Sequence, residues 1–135
     1  MMSTKFTVRK ATPVMFVDAV EPAVAFWQGL GFEKTVEVPH GDAIGFAILI
    51  QGGVELMFQS RGSIGLDVPA LAAEPSRVAL YVEVSDLDEA TGRVQGAPIV
   101  FERRRTFYGA EELGVRDPAG NVVTLAQVPA EQGNG

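Results

Sequence analysis

The strongest constraint on this chain is that its two halves follow the same plan. Thr12-Pro13-Val14-Met15-Phe16-Val17 is a strand-like run, and after it Val20, Val24, Trp27 and Leu30 recur at helical spacing. That spacing places the four on one buried helix face. Asp18 and Glu21 have the separation of a capping box, Pro22 is tolerated in a first turn, and Gly31 is placed to end the helix. Three strand candidates follow: Glu33 to Val38, Ala43 to Ile50 and Val54 to Gln59. Gly41-Asp42 and Gly52-Gly53 separate them as hairpin turns. The second half restates this order. A strand over Val78 to Val84 precedes a short helix with Ser85 and Asp88 as cap and with Leu87, Thr91 and Val94 aligned. Gly96 closes that helix, and strands are predicted over Val100 to Arg104, Glu111 to Arg116 and Val122 to Gln127. The offset is nearly constant: 67 residues from Val17 to Val84, 65 from Gly31 to Gly96, and 69 from Glu55 to Thr124.

Neither half has enough chain to cover both faces of its own sheet. The repeat therefore predicts an α+β fold of two tandem βαβββ modules, forming curved mixed sheets around a cleft with the helices on their outer faces. The expected organisation is one domain over residues 1–135, with modules at about 8–60 and 76–128. The segment between them, Ser60 to Ser76, is rich in glycine, proline and small residues and reads as a linker or short helical turn. Residues Met1 to Thr7 and Ala130 to Gly135 read as loose ends.

Composition narrows the function classes. No apolar run approaches the ~20 residues of a membrane span, and the start lacks the apolar stretch of a secretory signal. The chain has no cysteine, which excludes disulfides, thiol catalysis and cysteine-ligated metals; a cytoplasmic location is the economical expectation. A formal net charge of −6 disfavours nucleic-acid binding. It favours cationic or neutral ligands over anionic ones, and also serves solubility.

Three segments carry a family resemblance: Pro13 to Phe32, with its Pro-Val opening and Ala-x-x-Phe-Trp helix; Val84-Ser85-Asp86-Leu87-Asp88; and Arg116-Asp117-Pro118-Ala119-Gly120-Asn121. In this order, over an internal repeat, they resemble the vicinal oxygen chelate superfamily, also called the glyoxalase/bleomycin resistance/dioxygenase family. The resemblance runs from Ala11 to Gln127 and looks closest to bleomycin-resistance-type binding proteins. It implies a cleft for a small molecule and a homodimer, with exchange of the N-terminal arm as one form the dimer takes. It also implies a divalent metal in the enzymes of the family, held by side chains from the first and last strand of each module.

Carried onto this chain, those positions fall on Thr12, Glu55, Ala79 and Thr124. Only Glu55 is a good ligand; alanine cannot coordinate and threonine hydroxyls suit these ions poorly. The one histidine, His40, reads as part of a turn away from the ligand strands. A carboxylate set of Glu55, Glu83 and Glu112 for Mg or Mn departs from the family pattern. The expectation is therefore no metal and no cofactor.

Strand alternation then names the cleft. Phe16, Met57 and Tyr81 are its apolar walls, Glu55 and Glu83 its acids, and Thr124 faces inward with Val122 and Ala126. Phe46, Phe107 and Tyr108 are candidate stacking surfaces, and Glu112 a further polar group. Glu55 stands out, because a carboxylate among Val54, Leu56 and Met57 is costly without a partner. Trp27 sits on the core face of its helix and reads as packing, not ligand contact, while Phe16, Phe46 and Met57 are each also core candidates. Arg103-Arg104-Arg105 reads as a solvated rim, with pairing to Glu111 and Glu112, or gating of an anionic ligand, as alternatives. No nucleophile elbow, Gly-rich phosphate loop or Ser-His-Asp set is present. The leading expectation is a metal-free protein that sequesters an aromatic, cationic or neutral drug or metabolite. The alternative is a lyase, isomerase or dioxygenase that uses Glu55 as base or an atypical metal site.

Overall fold

In the computed structural model, which describes Phe6 and residues 9–74 and 77–129, each half builds a four-stranded mixed sheet. The first half contains β1 (Val14–Val17), α1 (Val20–Gly29), β2 (Glu33–His40), β3 (Ala43–Gln51) and β4 (Val54–Ser60). Short helices α2 (Arg61–Asp67) and α3 (Pro69–Ala72) fill the joining segment. The second half contains β5 (Ala79–Glu83), α4 (Leu87–Arg93), β6 (Ile99–Arg105), β7 (Glu111–Arg116) and β8 (Val122–Gln127). Strand orders are β1-β4-β3-β2 and β5-β8-β7-β6. In each sheet the last strand pairs in parallel with the first and antiparallel with the third. This is the tandem βαβββ plan predicted by the repeat. The expected module starts at 8 and 76, the tail from Ala130, and residues 1–5, 7 and 8 of the N-terminal arm lie outside the described residues.

Helix α1 buries Val20, Ala23, Val24 and Trp27, the face set by its apolar spacing. Its C-terminus is a Schellman turn. Gly31 takes φ +96°, its N–H donates to the Gln28 carbonyl, and the Phe32 N–H reaches the Trp27 carbonyl. The Phe32 ring packs edge-on against Trp27 at 5.4 Å, the hydrophobic contact such turns favour. The start of α1 differs from expectation. Its N-cap is Ala19, with no side-chain cap, because Glu21 instead accepts the Ile44 backbone N–H at 2.7 Å and so ties the helix to β3. Helix α4 is capped one residue later than expected, by Asp86, whose carboxylate accepts the Glu89 N–H. Its buried face is Leu87, Ala90 and Val94; Thr91 lies outside it and bonds back to the Leu87 carbonyl.

Met15, Val17, Leu49, Leu56 and Phe58 of the first sheet share one contiguous core with α1, α4 and Leu113, Val115, Val123 and Leu125 of the second. The Asp117–Asn121 turn locks this arrangement. Asp117 accepts the Ala119 and Asn121 N–H groups and the Asn121 amide. Asn121 in turn accepts the Val78 N–H and reaches the Met15 sulfur. Both are buried, so the motif holds the start of β5 against a strand of the other module. The faces of the two sheets that turn away from this core are left open.

Candidate functional site

Alternation decides what lines the open faces. With Met15, Val17, Leu56 and Phe58 in the core, Val14, Phe16, Glu55 and Met57 point the other way. Register places Val14 beside Met57 and Phe16 beside Gln59, then Met57 beside Ile48 and Gln59 beside Phe46. Val36 and Val38 continue these rows on β2. The open face of the first sheet is thus almost wholly apolar. At its Gly53 end stands Glu55, whose carboxylate accepts the Thr12 hydroxyl at 3.1 Å and is ion-paired with the Lys10 ammonium. Lys10 beside it, helped by the Thr12 hydrogen bond, holds the Glu55 carboxyl below the usual carboxylate range.

The second sheet presents different chemistry from the same positions. Leu113, Val115, Val123 and Leu125 enter the core, which leaves Glu112, Gly114, Thr124 and Tyr81 on the open side. Glu112 is only 2% exposed. One of its oxygens accepts the Tyr81 and Tyr108 hydroxyls at 2.7 and 3.1 Å. The other accepts two N–H groups of Arg104 at 3.1 and 2.9 Å. These donors, Tyr81 first, lower the Glu112 carboxyl, while Tyr108 and Glu112 together raise the Tyr81 phenol. Arg104 lies 4.9 Å over the Phe101 ring, and that ring covers Gly114 so closely that a Cβ there would collide with it. The arginine run is therefore more than a solvated rim: Arg104 pairs with Glu112, Arg105 with Glu111, and Arg103 with Asp88 and Glu111.

Between the modules runs a groove of about 1030 Å³. Pro13, Trp27, Glu55 and Leu56 line one side, and β5 with the following turn, Leu80 to Asp86, lines the other. Of the residues expected in a cleft, Glu55, Tyr81 and Glu83 border this groove. Tyr108 and Glu112 join Tyr81 through the hydroxyl cluster, and Thr124 is its strand partner. Phe16, Phe46 and Met57 lie on the open face of the first sheet and are not among the residues lining the groove. Phe107 is fully exposed, its ring edge-on to Tyr108.

The register also corrects the expected metal positions. Thr124 pairs with Tyr81, whereas Ala79 pairs with Val122. Since Thr12 is bonded to Glu55, the residue that answers to it in the second module is Tyr81. The offset along this strand pair is that of β4 to β8, not the shorter one measured at Val17. The resulting set of Thr12, Glu55, Tyr81 and Thr124 offers a single carboxylate, already paired with Lys10, and does not fit a Zn, Fe, Mn or Ni ion. His40 is the last residue of β2, not a turn residue, and packs against Gly45 and Gly62. Among the described residues no three His, Cys, Asp or Glu side chains come together as metal donors, so Glu55, Glu83 and Glu112 form no carboxylate site. Sequence reasoning missed Lys10 and Phe101 and undervalued Arg104. Lys10 stands two residues before Thr12, a spacing that would have placed it near Glu55.

The family model that matches the chain, over residues 10–125, is that of the Glyoxalase/Bleomycin resistance protein/Dioxygenase superfamily. No curated protein matches at the sequence level. Solved structures share the fold. One similar chain is TioX from Micromonospora sp. ML1, at TM-score 0.70 and 22% identity over 87% of this chain and 97% of that one. Another is a lactoylglutathione lyase from Agrobacterium tumefaciens, at TM-score 0.69 and 18% identity over 90% and 95%. A third is a bleomycin resistance determinant encoded on the transposon Tn5, at TM-score 0.63 and 19% identity over 90% and 98%.

Proposed function

The chain belongs to the Glyoxalase/Bleomycin resistance protein/Dioxygenase superfamily, and from that premise we propose that it is a metal-free binding protein. It sequesters an aromatic, cationic or neutral small molecule by mass action, without changing a bond. The observation that carries this reading is the residue set at the metal positions of the fold: Thr12, Glu55, Tyr81 and Thr124, with Glu55 held by Lys10. The likeness to a bleomycin resistance determinant and the aromatic side chains on both open faces support it.

A lyase, isomerase or dioxygenase is the competing reading, favoured by the likeness to a lactoylglutathione lyase. It would need a base, and the two carboxylates with hydrogen-bonded partners at these strands are poor ones. Glu55 is acidified by Lys10, and Glu112 spends both oxygens on the tyrosines and Arg104. The chain works as one unit and as a homodimer, whose second copy covers the apolar face bearing Val14, Val36 and Val38, all exposed in the single chain. Exchange of the N-terminal arm falls largely on residues 1–5, 7 and 8, which lie outside the described ones. No helix among the described residues is long and apolar enough to cross a membrane, and a cytoplasmic site of action suits a cysteine-free chain.

Elemental analysis of the purified protein tests the reading directly. Less than stoichiometric Zn, Fe, Mn and Ni is expected, and a tightly held equivalent of any of them would overturn it. A thermal-shift panel of aromatic cations and neutral aromatics is expected to yield at least one stabilising ligand. Sedimentation is expected to give the mass of two chains.

A further inference from the structure

We propose that the groove between the modules is a site for an organic monocation, a primary amine with an apolar body, and that Lys10 is its built-in competitor. The inference rests on the small-molecule reading above and assigns that reading a place and a selectivity. One oxygen of Glu55 takes both the Lys10 ammonium and the Thr12 hydroxyl. The structure thus already shows this wall of the groove accepting an –NH3⁺ group.

The two partners differ in how firmly they are held. The Glu55 side chain is 15% exposed, set into the start of β4, whereas that of Lys10 is 63% exposed and approaches on a flexible stem. An ammonium from solution that takes the place of Lys10 returns that lysine to water it has scarcely left. Glu55, in contrast, needs a cation, because an unpaired and mostly buried carboxylate is costly. The body of the ligand has a surface to lie on: Leu80, Val82 and Val84, packed on the core but only partly buried, line the same groove. Glu83 adds a second carboxylate on the opposite wall, while Glu89, also lining the groove, is tied to Arg93. A lone carboxylate oxygen with a hydroxyl beside it suits a hydrogen-bonding ammonium and not a divalent ion, which asks for several charged donors. In the free protein the lysine therefore lowers the apparent affinity for any amine by the fraction of time it occupies Glu55.

The test uses phenethylamine as probe and 2-phenylethanol, its neutral counterpart, as control, each titrated calorimetrically and followed by NMR. The proteins are wild type, Lys10→Ala, Lys10→Gln and the double variant Lys10→Ala/Glu55→Gln, each checked for native circular dichroism. Lys10→Ala and Lys10→Gln are expected to bind phenethylamine about tenfold more tightly than wild type, as release of an occupied site predicts. The double variant is expected to lose that gain, and 2-phenylethanol to show none. Shifted resonances are expected at Glu55, Val82 and Val84. Equal affinity with and without Lys10, or no binding to Lys10→Ala at millimolar probe, would overturn the proposal. If phenethylamine binds but shifts only Phe46 and Tyr108, the groove assignment falls while the small-molecule reading stands. If neither this probe nor the wider aromatic panel binds, both fall.

Discussion

The two modules are the same backbone with opposite temperaments. On the first, the side chains facing away from the core are apolar: exposed Val14 and half-buried Phe16, Phe46, Ile48 and Met57, with one acid, Glu55, near the edge. On the second, the corresponding face carries a closed polar cluster in which Glu112 is bonded to Tyr81, Tyr108 and Arg104. The helices differ in the same sense. Helix α1 runs ten residues and is anchored by Trp27 between Phe26 and Phe32; α4 runs seven and is anchored by Leu87, Ala90 and Val94. A duplicated plan fixes where faces lie but leaves their chemistry free. Beyond the apolar core that the halves share, the first adds aromatic packing and the second a buried hydrogen-bonded cluster.

The largest expected effect probes the packing side of that contrast. Trp27→Ala should cost about 3–5 kcal/mol, and Leu87→Ala, in the smaller helix, about 2–3 kcal/mol. Urea unfolding measures both. A Leu87→Ala loss equal to or larger than that of Trp27→Ala would show that the core is not weighted toward the first module.

Next comes the polar side. Glu112→Gln keeps the shape but leaves Arg104 without its charge partner, and should cost about 1–3 kcal/mol at pH 7. Glu55→Gln, nearer solvent and paired with an exposed lysine, should move the melting temperature less. The pH profile sharpens the point. The folded Glu112 carboxyl is lowered, so its contribution is fully present above the unfolded carboxylate value of about 4.3 and is lost as pH falls through the lowered folded value. Wild type should therefore destabilise across that acid window more steeply than Glu112→Gln. Parallel profiles would remove the hydrogen-bond cluster as a source of stability.

How much of this was legible in the sequence follows from the kind of interaction involved. The repeat, the strands and the α1 face are local patterns of period two or 3.6, and they were readable because every copy of the pattern repeats the same information. Which acid is buried was not readable. Glu112 and Glu55 are both carboxylates in apolar runs, and only the pairing of β6 with β7 brings Arg104 beside Glu112. The helix caps were misplaced for a related reason. Glu21 had two available N–H partners, and the one on β3 won through a tertiary contact no local rule contains. The Ala79 position failed because a fixed repeat offset ignores the small insertions that parallel register absorbs.

A smaller effect is expected where the second sheet is most tightly built. Gly114 stands opposite Thr124, as Ile50 stands opposite Glu55, and the Phe101 ring takes the space that a side chain at Gly114 would fill. Gly114→Ala should displace Phe101 and the Arg104 that stacks on it, costing about 1–2 kcal/mol. Ile50→Val, at the equivalent open position, should stay within about 1 kcal/mol. A harmless Gly114→Ala would mean that the Phe101 cover is loose.

The smallest effect isolates the helix starts, where the modules differ by a single side chain. Asp86 caps α4 through the Glu89 N–H at 3.1 Å, whereas Ala19, at φ −136° and ψ 133°, has a capping backbone but no acceptor to offer α1. Extended geometry at that position accommodates a capping side chain without strain, and Ala19 is exposed, so nothing in the core must move. Asp86→Ala should therefore lose about 1 kcal/mol and Ala19→Asp should gain about 0.5–1 kcal/mol, both measured by thermal unfolding. The gain depends on Glu21 staying with Ile44, because a reoriented Glu21 would compete with the new aspartate for the same first-turn N–H groups. If Ala19→Asp is neutral while Asp86→Ala is costly, the α1 start is already satisfied through β3. The two modules would then differ in where each helix is fastened and not in how well.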